Sequence, residues 1–130
     1  MARWDEVQAW ARGAFQLDRD EAHEFALTVT RQQGERTRAQ RVMVRHFEAW
    51  DEPMIELRSA FGEIDDLDPR ALLTESLHLP LGGIALHGRF LVVVHRERLA
   101  PLTLDSVQYL LSRVSLVADE LEERRGSDRF

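Results

Sequence analysis

The chain has 130 residues, of which 44% are hydrophobic and 31% charged, a composition typical of one globular domain rather than of a disordered chain. Its formal net charge of −6 argues against nonspecific binding to nucleic acid, which requires clustered cations that meet phosphates. The sequence contains no cysteine, which excludes disulfides, thiolate zinc ligands and a cysteine nucleophile.

The sequence also bears on location. No apolar run approaches the roughly 20 residues that a membrane helix needs. The first six residues include Asp5 and Glu6 and lack the apolar core of a signal peptide. We therefore expect a cytoplasmic protein without a membrane partner. All 17 basic residues are arginine, which we attribute to GC-rich codons rather than to a functional arginine surface.

The first half of the chain predicts one helix and three strands. Apolar residues recur at helical spacing from about 3 to 15. Three apolar runs follow, at 25–29, 42–47 and 55–61, and polar or proline-containing turns separate them. This pattern favours consecutive antiparallel strands.

Polar residues in these strands are expected at the surface. In the third strand, Glu56 and Arg58 alternate with an apolar series, so we expect a solvated polar face. A basic stretch formed by Arg36, Arg38, Arg41 and Arg45 lies around the second strand. We interpret this stretch as a solvated strand edge that is guarded by charge, with contact to acidic residues of a partner as the alternative.

The second half predicts a short helix followed by a strand hairpin. Asp68 can accept hydrogen bonds from the first amides of a helix, and Pro69 suits its first position. The helix that starts there has a mostly apolar face formed by Leu72, Leu73, Ser76 and Leu77, and it ends in a turn that contains two glycines. Strands at 84–87 and 90–94 follow, joined by a two-residue loop.

A long helix ends the predicted series. Apolar residues from 104 to 121 form the clearest helical stripe in the chain, and Thr103 is a suitable cap. The order is therefore α-β-β-β-α-β-β-α, an α+β fold in which helices flank an antiparallel sheet. We expect one domain over 1–125 and a flexible tail over 126–130.

The strand 90–94 is apolar on both of its faces. Leu91 and Val93 point to one side, and Phe90, Val92 and Val94 point to the other. A chain of this length has few layers with which to cover both faces, so we expect one face to meet a second copy or a client protein. The predicted contacts of a homodimer are Leu72, Leu77, Phe90, Val92 and Val94.

Aromatic residues at the edges of the patterns suggest a second contact surface. Trp10 and Trp50 sit where an exposed aromatic side chain often marks recognition. We assign client binding to Trp10, Trp50, Phe47 and Leu17.

The sequence offers weak support for catalysis or metal binding. His87 and His95 should lie on opposite faces of the hairpin, so they cannot converge with His78 on one ion. The acidic group of Asp65, Asp66 and Asp68 lacks the spacing of an EF-hand loop. The chain contains no phosphate loop and no G-x-S-x-G elbow. We predict no catalytic residue, no metal and no cofactor, with a small enzyme as a distant alternative.

The text from Leu72 to Leu121 resembles the class I type III secretion chaperones, the family that includes the Tir chaperones. The matching motifs are Leu79-Pro80, Gly82-Gly83, the turn at 99–102 and Asp105. The resemblance implies a small acidic homodimer that holds a segment of a secreted client extended. The same architecture occurs in YbjN-like proteins, so a regulatory or stress-related domain without a secretion role is the alternative.

Overall fold

Helices and strands form in the predicted order, with one additional short strand before the first predicted one. The computed structural model describes residues 2–124. The helices are α1 (Trp4–Ala14), α2 (Pro69–Leu77) and α3 (Leu104–Glu123). The strands are β1 (Arg19–Glu21), β2 (Glu24–Gln33), β3 (Arg36–Ala49), β4 (Glu52–Glu63), β5 (Gly83–His87) and β6 (Phe90–Arg98). The predicted α+β class is confirmed, and the predicted tail at 126–130 lies outside the described residues.

The strands form one six-stranded sheet in the order β1-β2-β3-β4-β6-β5, and every neighbouring pair is antiparallel. Hairpins connect β2 to β3, β3 to β4 and β5 to β6. The segment with α2 carries the chain past β6, so that β5 becomes an edge strand. The other edge is β1, whose three residues are all charged and exposed.

The hairpin turns are shorter than the sequence pattern suggested. Trp50 and Asp51 both have positive φ, 52° and 59°, as the two central residues of a type I′ turn do. Glu52 and Pro53, which were predicted as turn residues, already belong to β4. The longer strands extend the pairing of β3 with both of its neighbours.

Helix ends follow the predicted capping chemistry. The Asp68 side chain accepts a hydrogen bond from the Arg70 amide, and Pro69 is the first residue of α2. The Thr103 hydroxyl accepts from the Ser106 amide at the start of α3. Both caps satisfy backbone donors that a helix cannot pair internally.

A tight turn joins α2 to β5 and requires glycine. Gly82 has a φ of +64°, and a Cβ atom there would lie 2.5 Å from the Val94 carbonyl oxygen. Gly34 has the same φ but nothing within 4 Å of such an atom. Glycine is therefore required at position 82 for two reasons: the positive φ, and the close approach of the turn to β6, which leaves no room for a Cβ atom.

One core holds the helices to the sheet. The buried apolar residues of all three helices, such as Val7, Leu72 and Val114, belong to a single cluster with Leu57 and Val93 of the strands. No helix within residues 2–124 is long and apolar enough to cross a membrane.

Candidate functional site

The sheet has two faces, and only one of them belongs to the core that the helices share. Side chains alternate along each strand, and directly paired residues lie on the same face. Leu91 and Val93 lie in the common core, on what we call the covered face. Phe90, Val92 and Val94 point to the other side, which we call the open face. The prediction that this strand presents apolar side chains to both faces is confirmed.

Small residues create an apolar depression on the open face. Val92 is paired with Ala60 on one side and Ala85 on the other, and Val94 is paired with Gly83. The pocket has a volume of about 360 Å³. Its lining residues are Arg41, Met43, Arg58, Ala60, His87, Phe90 and Val92. Short side chains on β4 and β5 thus leave room between the longer side chains around them.

A buried carboxylate lies next to this depression. Glu56 of β4 is 2% exposed although it points to the open face. Arg45, Arg58 and Arg96 donate hydrogen bonds to its two oxygens at 3.2, 3.2 and 2.7 Å. We call these four residues the Glu56 cluster. The expectation that this face of β4 would be solvated is wrong, because three long arginine side chains fold over the carboxylate.

An aromatic ring supports two of these arginines. The guanidinium carbons of Arg45 and Arg96 lie 4.7 and 5.1 Å from the centroid of the Phe47 ring. Such cation–π contacts favour the orientation in which both cations reach Glu56. Phe47 therefore lies on the open face, where it helps to position the Glu56 cluster.

The Glu56 cluster stabilises the ionised carboxylate. Burial alone would raise the pKa of Glu56, because it disfavours the charged form. Hydrogen bonds from Arg45 and Arg96, and their positive charges, outweigh this effect and hold the pKa below the ordinary value of 4.5. One negative charge is shared by three positive charges, so the cluster as a whole is cationic.

A second buried ion cluster lies on the covered face. Arg38 of β3 is 2% exposed, and its Nε atom donates to Asp119 of α3 at 2.7 Å. Arg38 also lies 3.5 Å from Glu122, and Arg31 of β2 forms an ion pair with Asp119. We call these four residues the Arg38 cluster. It connects two strands to the last turns of α3.

The Arg38 cluster corrects the interpretation of the basic stretch in β3. That strand lies between β2 and β4, so it is not a sheet edge. Arg38 faces the core, whereas Arg36 and Arg41 are exposed. One feature of the sequence could have indicated a buried ion cluster. Asp119 and Glu122 lie at inward-facing positions of α3, within a stripe that is otherwise mostly apolar.

The four predicted client contacts lie in different environments. Trp10 and Leu17 pack against the core, and Trp10 meets the edge of the Phe15 ring with centroids 5.6 Å apart. Phe47 lies on the open face, and Trp50 is 87% exposed in the turn between β3 and β4. The structure does not bring these four residues together on one surface.

The five predicted dimer contacts fall into two groups. Phe90, Val92 and Val94 lie on the open face. Leu72 is buried within the core of the single chain, and Leu77 projects from α2 into solvent. The predicted dimer contacts therefore include residues of the open face together with residues of α2, which packs on the covered side of the sheet.

Exposed leucines form a further surface where α2 meets the edge strand. Leu73 and Leu77, one helical turn apart on α2, are 69% and 80% exposed, and Leu86 of β5 is also exposed. The Ser76 hydroxyl accepts a hydrogen bond from the Ile84 amide at 2.9 Å, which holds α2 beside β5. We call this region the α2–β5 surface.

The histidines of the hairpin diverge as predicted. His87 is paired with Phe90 on the open face. His95 is paired with Leu57 on the covered face, and its Nε2 atom lies 2.7 Å from Glu97. Among residues 2–124, no three histidine, aspartate or glutamate side chains are placed to hold one metal ion.

The chain matches no model of a known protein family, and no curated protein gives a significant match to it.

Proposed function

We propose that this protein is a cytoplasmic homodimer that binds a segment of another protein, as a chaperone or adaptor of the type III secretion chaperone kind. The observation that carries the proposal is the open face. A sheet normally buries each apolar face against another layer. Here Phe90 and Val92 line a depression on one face of a strand whose other face already belongs to the core. A partner supplies the missing layer.

The α2–β5 surface suits a symmetric dimer. A two-fold interface places the same patch of both copies in contact, so the patch must complement itself. Leu73, Leu77 and Leu86 carry no charge and can pack against their own copies without repulsion. The edge strand β5 also lacks charged residues, whereas the opposite edge, β1, consists of Arg19, Asp20 and Glu21.

The dimer can be tested by adding charge to the α2–β5 surface. Sedimentation equilibrium at micromolar concentration should give a dimer for the unmodified protein. Leu73→Glu combined with Leu77→Glu should give a folded monomer, because four carboxylates would meet at the two-fold interface. Tyr109→Glu is the matched control, since Tyr109 is also an exposed large side chain but lies on α3. A monomeric unmodified protein would contradict the dimer.

Client binding is tested separately with an identified partner. A protein that co-purifies from the native host would be identified, and its bound segment produced alone for calorimetric titration. Val92→Asp should abolish the binding of that segment, because the charge enters the floor of the depression. Arg113→Gln, on the exposed side of α3, should leave the affinity unchanged. Equal affinity of the Val92→Asp variant would contradict binding on the open face.

A further inference from the structure

We infer that the segment bound by the open face is acidic as well as apolar, with carboxylates that border a short run of apolar side chains. This inference rests on the proposed function, since it names the chemistry of the client that the open face selects. It is carried by the unequal distribution of charge around the depression rather than by its apolar floor.

The walls of the depression are cationic in an acidic protein. The whole chain has a net charge of −6. Arg41 and Arg58 nevertheless line the depression, and none of the described residues that line it is acidic. A cleft lined by one sign of charge attracts ligands of the opposite sign, so this region selects anionic groups against the charge of the protein as a whole.

The arginines beside the depression have donors to spare. Each guanidinium has five N–H groups, whereas a carboxylate accepts at about four sites. In the Glu56 cluster one carboxylate serves Arg45, Arg58 and Arg96. The side chain of Arg41 is about half exposed, and its nearest carboxylate, that of Asp18, is 3.8 Å away. Arginine binds carboxylates in bidentate geometry, which makes aspartate and glutamate suitable anions.

The charge pattern disfavours a second copy of the chain as the occupant. Two open faces in symmetric contact would place the Glu56 cluster and Arg41 of each copy against arginines of the other. Like charges that meet in a contact of low dielectric constant are repulsive. The uncharged α2–β5 surface offers a dimer contact without this repulsion, which leaves the open face to a partner of complementary charge.

The apolar floor disfavours nucleic acid. Phosphate binding uses a positively charged groove and, in single strands, aromatic platforms for the bases. Phe90 is the one aromatic side chain among the described lining residues, whereas Met43, Ala60 and Val92 provide flexible or small apolar contacts, which suit aliphatic side chains. An apolar segment bordered by carboxylates satisfies both the floor and the walls.

The inference can be tested with three labelled peptides. Each has a central run of five leucine, valine and alanine residues, and two glutamates, two glutamines or two lysines border this run at both ends. Fluorescence anisotropy of the full-length protein at low salt should show binding of the glutamate peptide, weakened as salt is added. The glutamine and lysine peptides should bind at least about tenfold more weakly.

Matched variants locate the site. Arg41→Gln combined with Arg58→Gln should weaken the glutamate peptide about tenfold, whereas Arg113→Gln should have no effect. Arg41→Glu alone changes an exposed side chain and should weaken the glutamate peptide at least about tenfold, because it places a carboxylate beside the depression. This second variant keeps the test valid if the double variant does not fold.

The outcomes separate the two proposals. If the glutamate and glutamine peptides bind equally, the acidic preference is overturned. If Val92→Asp also abolishes that binding, the result still supports a client site on the open face. Binding of none of the three peptides would overturn the inference, and the identified native client would then test the proposed function alone. Tighter binding of a ten-nucleotide oligothymidine than of the glutamate peptide would also overturn the inference.

Discussion

The two faces of the sheet each bury an ion cluster, and the clusters differ in what covers them. Arg38, on the covered face, is enclosed by α3 and contacts Asp119 of that helix. Glu56, on the open face, is equally buried, and three arginine side chains fold over it, of which that of Arg96 is 56% exposed. The same burial of a central charge thus arises from a packed helix in one case and from flexible side chains in the other.

The charge balance of the two clusters differs as well. Among the described residues, the Arg38 cluster pairs two arginines with two carboxylates, as a closed structural network should. The Glu56 cluster sets three arginines against one carboxylate. A balanced cluster satisfies its own charges, whereas an unbalanced cluster at a surface favours an anion from elsewhere. We therefore expect the first cluster to stabilise the fold, and the second is the one to which we assign the proposed recognition.

The largest effect should distinguish two adjacent residues of β6. Val93→Asp places a charge in the core, so we expect no folded protein at neutral pH. Val92 is also buried, at 5% exposed, but it lies outside the common core and near Arg41 and Arg58, so Val92→Asp should fold with a loss of about 1 to 3 kcal/mol. Circular dichroism and thermal melting of both variants would check this. A folded Val93→Asp protein would break the distinction between the faces.

Removal of the central arginine on the covered face should have the next largest effect. Arg38→Met leaves Asp119 and Glu122 buried without that partner, which should lower the free energy of unfolding by about 3 to 5 kcal/mol. Arg36→Met, two residues away and exposed, should change it by less than about 0.5 kcal/mol. Denaturation with urea measures both. Equal losses would mean that the Arg38 cluster is not structural.

A smaller effect is expected from the carboxylate of the open face. Glu56→Gln should lower the free energy of unfolding at pH 7 by about 1 to 3 kcal/mol, because three arginines lose their shared anion. Exposed Glu48 provides the control, and Glu48→Gln should change the free energy by less than about 0.5 kcal/mol.

The pH dependence of this effect follows from the lowered pKa of Glu56. The contribution of the ionised carboxylate is fully present above the ordinary value of 4.5, and it is lost as the pH falls through the lower pKa of the folded state. The difference between Glu56→Gln and the unmodified protein should therefore shrink in acid. Urea titrations from pH 7 down to pH 3 would measure it, and a difference independent of pH would show that Glu56 acts through its shape.

Local patterns of the sequence predicted most elements of the fold. Helical spacing identified α1 and α3, and Asp68 and Thr103 marked helix starts that the structure confirms. The hairpin of β5 and β6 was placed correctly, as were the opposite faces of His87 and His95. These predictions succeed because periodicity, capping and tight turns depend on residues close together in the chain.

The candidate site was predicted only in part. The open face was anticipated from Phe90, Val92 and Val94, whose alternation within one strand is a local property. The burial of Arg38 and Glu56 was not, since a charged side chain is solvated when it lies at a sheet edge or on an uncovered face, and the residues that bury these two are distant in the sequence. Their partners, Asp119 and Arg96, lie 81 and 40 positions away.

Local sequence was sufficient for the helices, the strands and the face to which each strand residue points, because steric preferences and hydrogen bonding within a few residues set them. The order of strands, which places β6 between β4 and β5, comes from packing between distant segments. That packing encloses Arg38 beneath α3 and gathers three arginines around Glu56, since only a formed sheet brings these side chains within reach of one another. The cationic border of the apolar depression is therefore a product of tertiary structure, and no single segment of the chain contains it.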